Sequence, residues 1–127
     1  MKYVVLVKPN GEITAEPVST VAFLADLKRL VGGNIERCSR YADDLLINGT
    51  ALIVSDVARC VLDGLPYNPT ATQISGNPNE HLVGNAIIAR FIFDGIAPFD
   101  GKTYTERHLI QPLKYKLAQM LESHDDE

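Results

Sequence analysis

The stretch LVGNAIIARFIF, residues 82–93, decides the fold that this sequence predicts. Its long apolar run, rich in isoleucine and phenylalanine, is typical of a strand at the centre of a sheet. Gly84 predicts a bulge near the start of the strand, and Arg90 is a polar interruption. The remaining segments are expected to build a sheet around this strand.

The segments at the start of the chain predict a β-hairpin and then a helix. Residues 3–7 are apolar, residues 13–18 alternate loosely, and Asn10-Gly11 between them supplies the turn. The residues expected to cap, line and end the helix are Ser19, Thr20, Val21, Leu24, Leu27, Val31, Gly32 and Gly33. Residues 34–38 then predict a strand that returns to the sheet.

The middle of the chain is less regular. Residues 45–54 contain Asn48-Gly49 between apolar runs, which favours a hairpin, although one long bulged strand has the same pattern. Residues 56–62 predict one or two helical turns. Residues 65–79 carry three prolines and three asparagines, and this composition predicts an extended loop.

The C-terminal segment predicts an amphipathic helix and a short acidic tail at residues 124–127. Thr103 and Glu106 match a capping box, and Pro112 is expected to kink the helix or to split it at Gln111. The apolar stripe of the helix consists of Leu109, Leu113, Leu117 and Leu121.

Together these elements predict an α+β fold in a single domain, residues 1–123. The sheet is expected to be mainly antiparallel, with about five strands, and two amphipathic helices are expected to pack on one face of it. The predicted element order is β-β-α-β-β-β-α. A chain of 127 residues can bury enough apolar surface to hold this fold without a disulfide or a metal.

Composition and charge exclude several classes of protein. With 46% apolar and 22% charged residues the chain resembles an ordinary globular domain, and its apolar runs are far shorter than the roughly 20 residues needed to span a bilayer. The net charge of −4 argues against broad nucleic-acid binding. Cys38 and Cys60 show no Cys-x-x-Cys spacing and indicate reduced thiols, so we expect a cytoplasmic protein.

The sequence contains no motif for catalysis or for a cofactor. The glycine patterns of phosphate loops, dinucleotide-binding turns and nucleophile elbows are missing, and His81, His108 and His124 lack zinc-site spacing. We therefore expect no cofactor and no metal, and the sequence favours a binding protein over an enzyme. An enzyme whose active site is assembled from distant residues remains an alternative.

The segment Gly64–Pro69 combines two prolines, which fix φ, with a glycine and an asparagine, and it predicts a defined turn. This turn opens the loop of residues 64–79, which is the expected binding surface. The binding residues expected in and around it are Arg59, Gly64, Pro66, Tyr67, Asn68 and Arg90. If the two arginines, the tyrosine and the asparagine converge in one pocket, a small nucleotide-like ligand is an alternative occupant.

Three segments resemble a known family. LVGGNIE at residues 30–36, DGLPYN at 63–68 and VGNAII at 83–88 are similar, in this order, to domain of unknown function 3846, small proteins of phages, plasmids and gut-bacterial mobile elements. The resemblance covers residues 2–93, and residues 55–60 depart from the family's hairpin pattern. It implies an accessory protein of a mobile element inside a bacterial cell, and it implies no activity, cofactor or catalytic residue.

The sequence thus predicts a non-enzymatic module that binds a host or phage protein through the loop of residues 64–79. No membrane partner is expected, and a nucleic-acid partner is disfavoured. An exposed edge strand, or the leucine stripe of the last helix, could pair two copies of the chain into a homodimer.

Overall fold

The structure is a computed structural model that describes residues 2–39, 49–58, 64–76, 81–93 and 95–125. Its elements follow in the order β1 (Lys2–Val7), β2 (Ile13–Pro17), α1 (Phe23–Val31), β3 (Ile35–Ser39), β4 (Thr50–Ser55), α2 (Pro69–Ser75), β5 (Ala86–Ile92), β6 (Gly95–Ala97), β7 (Phe99–Asp100) and α3 (Glu106–Asp125). The predicted α+β class is confirmed.

The described strands form one sheet in the order β2-β1-β5-β4-β3, while β6 pairs with β5 and β7 pairs with β1. Each of these pairings is antiparallel. The central position of β5 is therefore confirmed, but this strand begins at Ala86 rather than at Leu82. The residues before it follow another course because Gly84 has a φ of +78° and donates its N–H to the carbonyl oxygen of Pro66 at 2.8 Å.

Helices cover both faces of the sheet, so the prediction that they cover one face is wrong. On one face α1 packs Leu27 against Val4, and on the other face α2 and α3 pack Ile74 and Leu113 against Val5. Successive residues of a strand point to opposite faces. A strand such as β1 that is apolar at successive positions must therefore be covered on both sides.

The helix α2 lies within the segment that the sequence predicts to be an extended loop, and this prediction is wrong. Asn68 caps the helix by accepting the N–H of Ala71 at 2.9 Å, Pro69 occupies the first turn, and Gly76 ends the helix with a φ of +74°. These are the favoured residues at the start and end of a helix. Asparagine, proline and glycine are also the residues that favour turns, so their presence alone predicts a loop. Their order, with asparagine and proline first and glycine last, is the signal that indicates a helix.

The helix α1 begins at Phe23, later than the sequence predicts. The hydroxyl oxygen of Ser19 accepts the N–H groups of Val21 and Ala22, which forms a turn ahead of the helix, and no side chain caps its first residue. Val21 is 97% exposed and does not contribute to the apolar face. The predicted end is confirmed, since Gly32 closes the helix with a φ of +82°.

The last helix, α3, starts at Glu106 and continues through Pro112 to Asp125. Of the two predicted effects of Pro112, the split at Gln111 is therefore wrong, and the kink stays a prediction. The predicted capping box is also wrong, because Thr105 precedes the first residue of the helix and its carbonyl oxygen accepts the N–H groups of His108 and Leu109. Leu109, Leu113 and Leu117 belong to the core, so the leucine stripe is not an open apolar face. The side chain of Leu121 lies outside the described residues.

Several predictions fall outside the described residues. They concern Asn48 and the rest of residues 40–48, and also residues 59–63 with Cys60; the hairpin expected at Asn48-Gly49 therefore stays a prediction. Residues 56–58 form a turn after β4. The side chain of Cys38 is half-buried. Within the described part of the chain, no helix combines the length and the apolar character that crossing a membrane requires.

Candidate functional site

Asn68 lies in the core rather than on the surface, so the interpretation of this residue as an exposed binding group is wrong. Its side-chain amide nitrogen donates to the carbonyl oxygens of Val7 at 3.0 Å and Gly84 at 2.8 Å. Its backbone N–H donates to the carbonyl oxygen of Leu82 at 2.8 Å. Every one of these partners is a backbone atom, which makes Asn68 a structural connection between segments.

The exposed residues of the predicted turn are Gly64, Leu65, Pro66, Tyr67 and Pro69. The ring of Tyr67 is 43% exposed and stacks on the ring of His81, with centroids 4.1 Å apart and planes 11° from parallel. Tyr67 also forms an isolated antiparallel bridge with Val83. This arrangement is a small, ordered aromatic surface beside the N-terminal end of β5.

Arg90 lies at the other end of β5 from this turn. It pairs with Thr50 and Ala97, and its guanidinium carbon lies 5.6 Å from the ring centroid of Tyr104. The four steps along the strand from Ala86 to Arg90 span about 13 Å. The described structure therefore does not bring Arg90 together with Tyr67 and Asn68, and Arg59 lies outside the described residues. The pocket expected for a nucleotide-like ligand is not formed by these three residues.

A surface that the sequence did not predict lies at the tip of the hairpin that joins β5 and β6. Ile92 pairs with Gly95, so two residues separate the paired ends of the hairpin, and Phe93 is the first of them. Phe93 has a φ of +48° and is the one described residue other than glycine with a positive φ. Its side chain is 97% exposed, and that of Ile92 is 40% exposed.

Both properties of Phe93 are unfavourable in an isolated protein. A two-residue hairpin loop requires a positive φ at its first position, where glycine, asparagine and aspartate are preferred and a bulky residue is rare. A left-handed backbone of this kind costs about 1 kcal/mol or more. In addition, an apolar ring of this size gains nothing in stability from full exposure to water. An outlier of this kind indicates a function of the residue.

The stem below the tip is held firmly. The backbone N–H of Phe91 donates to the carbonyl oxygen of Gly49 at 2.6 Å, and the guanidinium carbon of Arg37 lies 4.5 Å from the centroid of the Phe91 ring. Arg90 is fixed in the same strand between two neighbours. The hairpin therefore presents Phe93 on a stem that is ordered before any partner binds.

A sequence signal for this hairpin exists in the residues that follow Phe93. Asp94-Gly95 stands between the apolar runs of residues 91–93 and 96–97, and this is a strong hairpin signal. The sequence interpretation treated Phe93 as the end of a strand and residues 94–102 as a turn-rich connection. This interpretation starts the turn at residue 94, whereas the pairing of Ile92 with Gly95 starts it at Phe93. The exposure of the phenylalanine is therefore not expected from the sequence.

An open groove of about 460 Å³ lies between β2, the start of α2 and α3. The nearly buried side chains of Ile13 and Leu117 form its floor. Ala118, Glu12, Thr70 and Lys114 line its sides. The groove is apolar below and charged at its rim, so an apolar group fits into it better than a wholly polar one does.

Comparisons of the chain with models of protein families, with curated proteins and with solved structures give no match. Within the described ranges, no group of three or more histidine, cysteine, aspartate or glutamate side chains is placed to hold a metal ion. The resemblance noted from the sequence therefore stays a prediction.

Proposed function

We propose that this protein is a non-enzymatic module that docks on another protein through the tip of the β5–β6 hairpin, with Phe93 as its anchor. The observation that carries the proposal is the combination of a positive φ and nearly complete exposure at one aromatic residue. The partner expected from the resemblance is a host or phage protein in the cytoplasm of a bacterial cell.

The chemistry of Phe93 fits an anchor in a protein interface. Aromatic side chains that enter a pocket of the partner supply much of the binding free energy in protein complexes. An anchor held in its bound conformation by a rigid stem loses little conformational freedom when it binds, and this raises the affinity. Both features are present in the hairpin, since Phe91 and Arg90 fix the stem and Phe93 extends beyond it.

The exposed surface at Tyr67 and His81 is too small to replace the hairpin in this proposal. Seven of the sixteen residues of the predicted loop form α2, whose Ala71, Thr72 and Ile74 are buried. Tyr67 itself is less than half exposed and is already stacked on another ring. The predicted binding function is thus retained, but its site moves from residues 64–79 to the hairpin tip.

Site-specific photo-cross-linking in bacterial cells tests this proposal. A photoreactive benzoylphenylalanine replaces Phe93 in one version of the tagged protein and replaces Val21 in a control version. Val21 is a suitable control because it is as exposed as Phe93, at 97%, and lies just before α1, which packs on the face of the sheet opposite to α3. We expect a discrete cross-linked product from position 93 and none of the same mass from position 21.

A competition experiment shows whether the product depends on the anchor. Excess untagged protein of the original sequence should suppress the cross-linked product, whereas an excess of the Phe93→Asn protein should leave it unchanged. The proposal is refuted if position 93 yields no discrete product, or if the Phe93→Asn protein competes as well as the original.

A further inference from the structure

We propose that the partner of the anchor is a second copy of this chain, and that Phe93 of one copy inserts into the groove between β2 and α3 of the next. This inference rests on the proposed function, which it deepens by naming the receiving surface. The chain then assembles head to tail through two different surfaces of the same molecule.

The size and lining of the groove fit the anchor. Its volume of about 460 Å³ lies within the range of about 300–1,000 Å³ found for pockets that enclose small ligands, so a phenyl ring and part of the hairpin loop have room in it. Ile13 and Leu117 offer an apolar floor to the ring. A buried phenylalanine removes about 150–250 Å² of surface from water.

Charges at the rim complement the sequence next to the anchor. Lys114 lines the groove, and no carboxylate among the described residues lies within salt-bridge distance of it. Glu12, the acidic residue at the rim, is paired with Lys8 at 3.3 Å. Phe93 is followed directly by Asp94 in the sequence. The residue next in sequence to the anchor therefore carries the charge opposite to that of Lys114 in the receiving copy.

The free edge of β2 adds main-chain groups to the same surface. Lys8 donates its N–H to the carbonyl oxygen of Glu12, and Val18 donates to that of Lys2, so the even-numbered residues of β2 direct their backbone groups toward β1. The backbone groups of Ile13 and Ala15 point away from β1, toward the open edge of β2. No other described strand pairs with β2 at this edge. An incoming hairpin thus meets hydrogen-bonding groups beside the apolar floor.

A chain cannot fill its own groove with its own anchor. Ile13 at the groove pairs with Val7, which pairs with Ala86 at the start of β5, whereas Phe93 follows the last residue of that strand. The six steps along the strand from Ala86 to Ile92 span about 20 Å. Because the anchor and the groove are different surfaces, a copy can give its anchor to one neighbour and receive that of another, which produces open chains or rings, whereas two copies that exchange anchors form a closed dimer.

Sedimentation equilibrium of the purified protein tests the inference. A contact of this size belongs to the weak, transient class, so the protein concentration is raised to about 1 mM. We expect the average mass to rise from the 14.0 kDa of one chain to twice that value or more. The variants Phe93→Ser and Ala118→Arg, which remove the anchor and fill the groove, should each remain at the mass of one chain.

Mixing the two variants gives the decisive result. The Ala118→Arg chain retains its anchor and the Phe93→Ser chain retains its groove, so an equimolar mixture should form pairs and stop at twice the mass of one chain. Both substitutions lie at exposed positions, and circular dichroism checks that each variant is folded. A mixture that stays at the mass of one chain overturns the inference.

Two other outcomes also overturn the inference. If the original protein stays at 14.0 kDa at every concentration, the contact between copies does not form. If either single variant still associates, the copies are held together by another surface. If the protein does not self-associate but cross-links from position 93 to a different protein in cells, the inference fails while the proposed function stands. If neither occurs, both fail.

Discussion

The side-chain amide of Asn68 donates a hydrogen bond to the carbonyl oxygen of Val7 at 3.0 Å, although 61 positions separate the two residues. The same nitrogen donates to the carbonyl oxygen of Gly84 at 2.8 Å, and the amide oxygen accepts the N–H of Ala71. One buried side chain therefore connects the end of β1, the segment before β5 and the start of α2.

Removal of this side chain should strongly destabilise the fold. Asn68→Ala leaves two buried carbonyl oxygens and one N–H without their partner, and each such group costs about 1–3 kcal/mol. We expect the free energy of unfolding, measured by urea denaturation, to fall by about 2–4 kcal/mol. Asn10→Ala is the control, because the Asn10 side chain accepts one exposed N–H, from Glu12. A loss no larger than that of the control would contradict the role assigned to Asn68.

Position 84 requires glycine because of its backbone conformation and because of the side chain of Leu65 next to it. Its φ is +78°, and a Cβ placed on it would lie 3.3 Å from a terminal methyl carbon of Leu65. We expect Gly84→Ala to lower the free energy of unfolding by about 1–3 kcal/mol. Gly33→Ala is the matched control, since its φ is not positive and the nearest side-chain atom, the hydroxyl of Ser55, is 3.8 Å away. Equal losses in the two variants would show that Gly84 is not special.

Substitution of the anchor should make the isolated protein more stable. Asparagine tolerates a positive φ and is a preferred residue of two-residue hairpin loops, so we expect Phe93→Asn to raise the free energy of unfolding by about 1 kcal/mol. Phe91→Asn, in the half-buried stem, should lower it because the ring packs under Arg37. A destabilised Phe93→Asn protein would mean that the ring makes contacts within its own chain.

Asp100 should contribute to the loss of stability in acid. The backbone N–H of Lys102, which donates to this carboxylate at 3.0 Å, lowers the pKa of Asp100 from 3.8, and the positive charges of Lys2, the N-terminus and Lys102 act in the same direction. A carboxyl group with a lowered pKa stabilises the fold above its unfolded-state value, and this stabilisation is lost as the pH falls through its folded-state value.

The Asp100→Asn protein retains an oxygen that accepts the N–H of Lys102 but does not titrate. We therefore expect its urea midpoint to fall less than that of the original protein when the pH is lowered from about 5 to about 2. The comparison is made in one salt concentration, because the charges near Asp100 are screened by ions. The same fall in both proteins would show that another group controls this part of the acid response.

The elements that could be predicted from the sequence are those in which local chemistry and tertiary packing agree. The hairpin of β1 and β2, the end of α1 at Gly32 and the central position of β5 all follow from apolar patterns bounded by glycine or asparagine. By contrast, α2 was missed because its capping residues were read as a turn, and its helical course depends on the buried bonds of Asn68 to distant strands.

The candidate site was less predictable than the fold. Phe93 is exposed because Ile92 pairs with Gly95, which places Phe93 at the tip of the hairpin. The apolar pattern of the sequence is the same whether such a phenylalanine is the last buried residue of a strand or the first residue of the tip. For Asn68 the sequence predicts exposure where the structure has burial. A polar residue in a turn is expected on the surface, but the carbonyl oxygens of Val7 and Gly84 need a hydrogen-bond donor in the core, and Asn68 supplies it.

Fluorescence of a Phe93→Trp protein tests the central claim most directly. The chain contains no tryptophan, so the introduced indole reports on this position alone. The account predicts the emission of a fully solvated indole in dilute protein and a shift to shorter wavelength when the complex forms, with no such shift for Val21→Trp, which places the indole at an equally exposed position before α1. An indole already shielded from water in the dilute monomer, or one that remains solvated in the complex, would contradict the account.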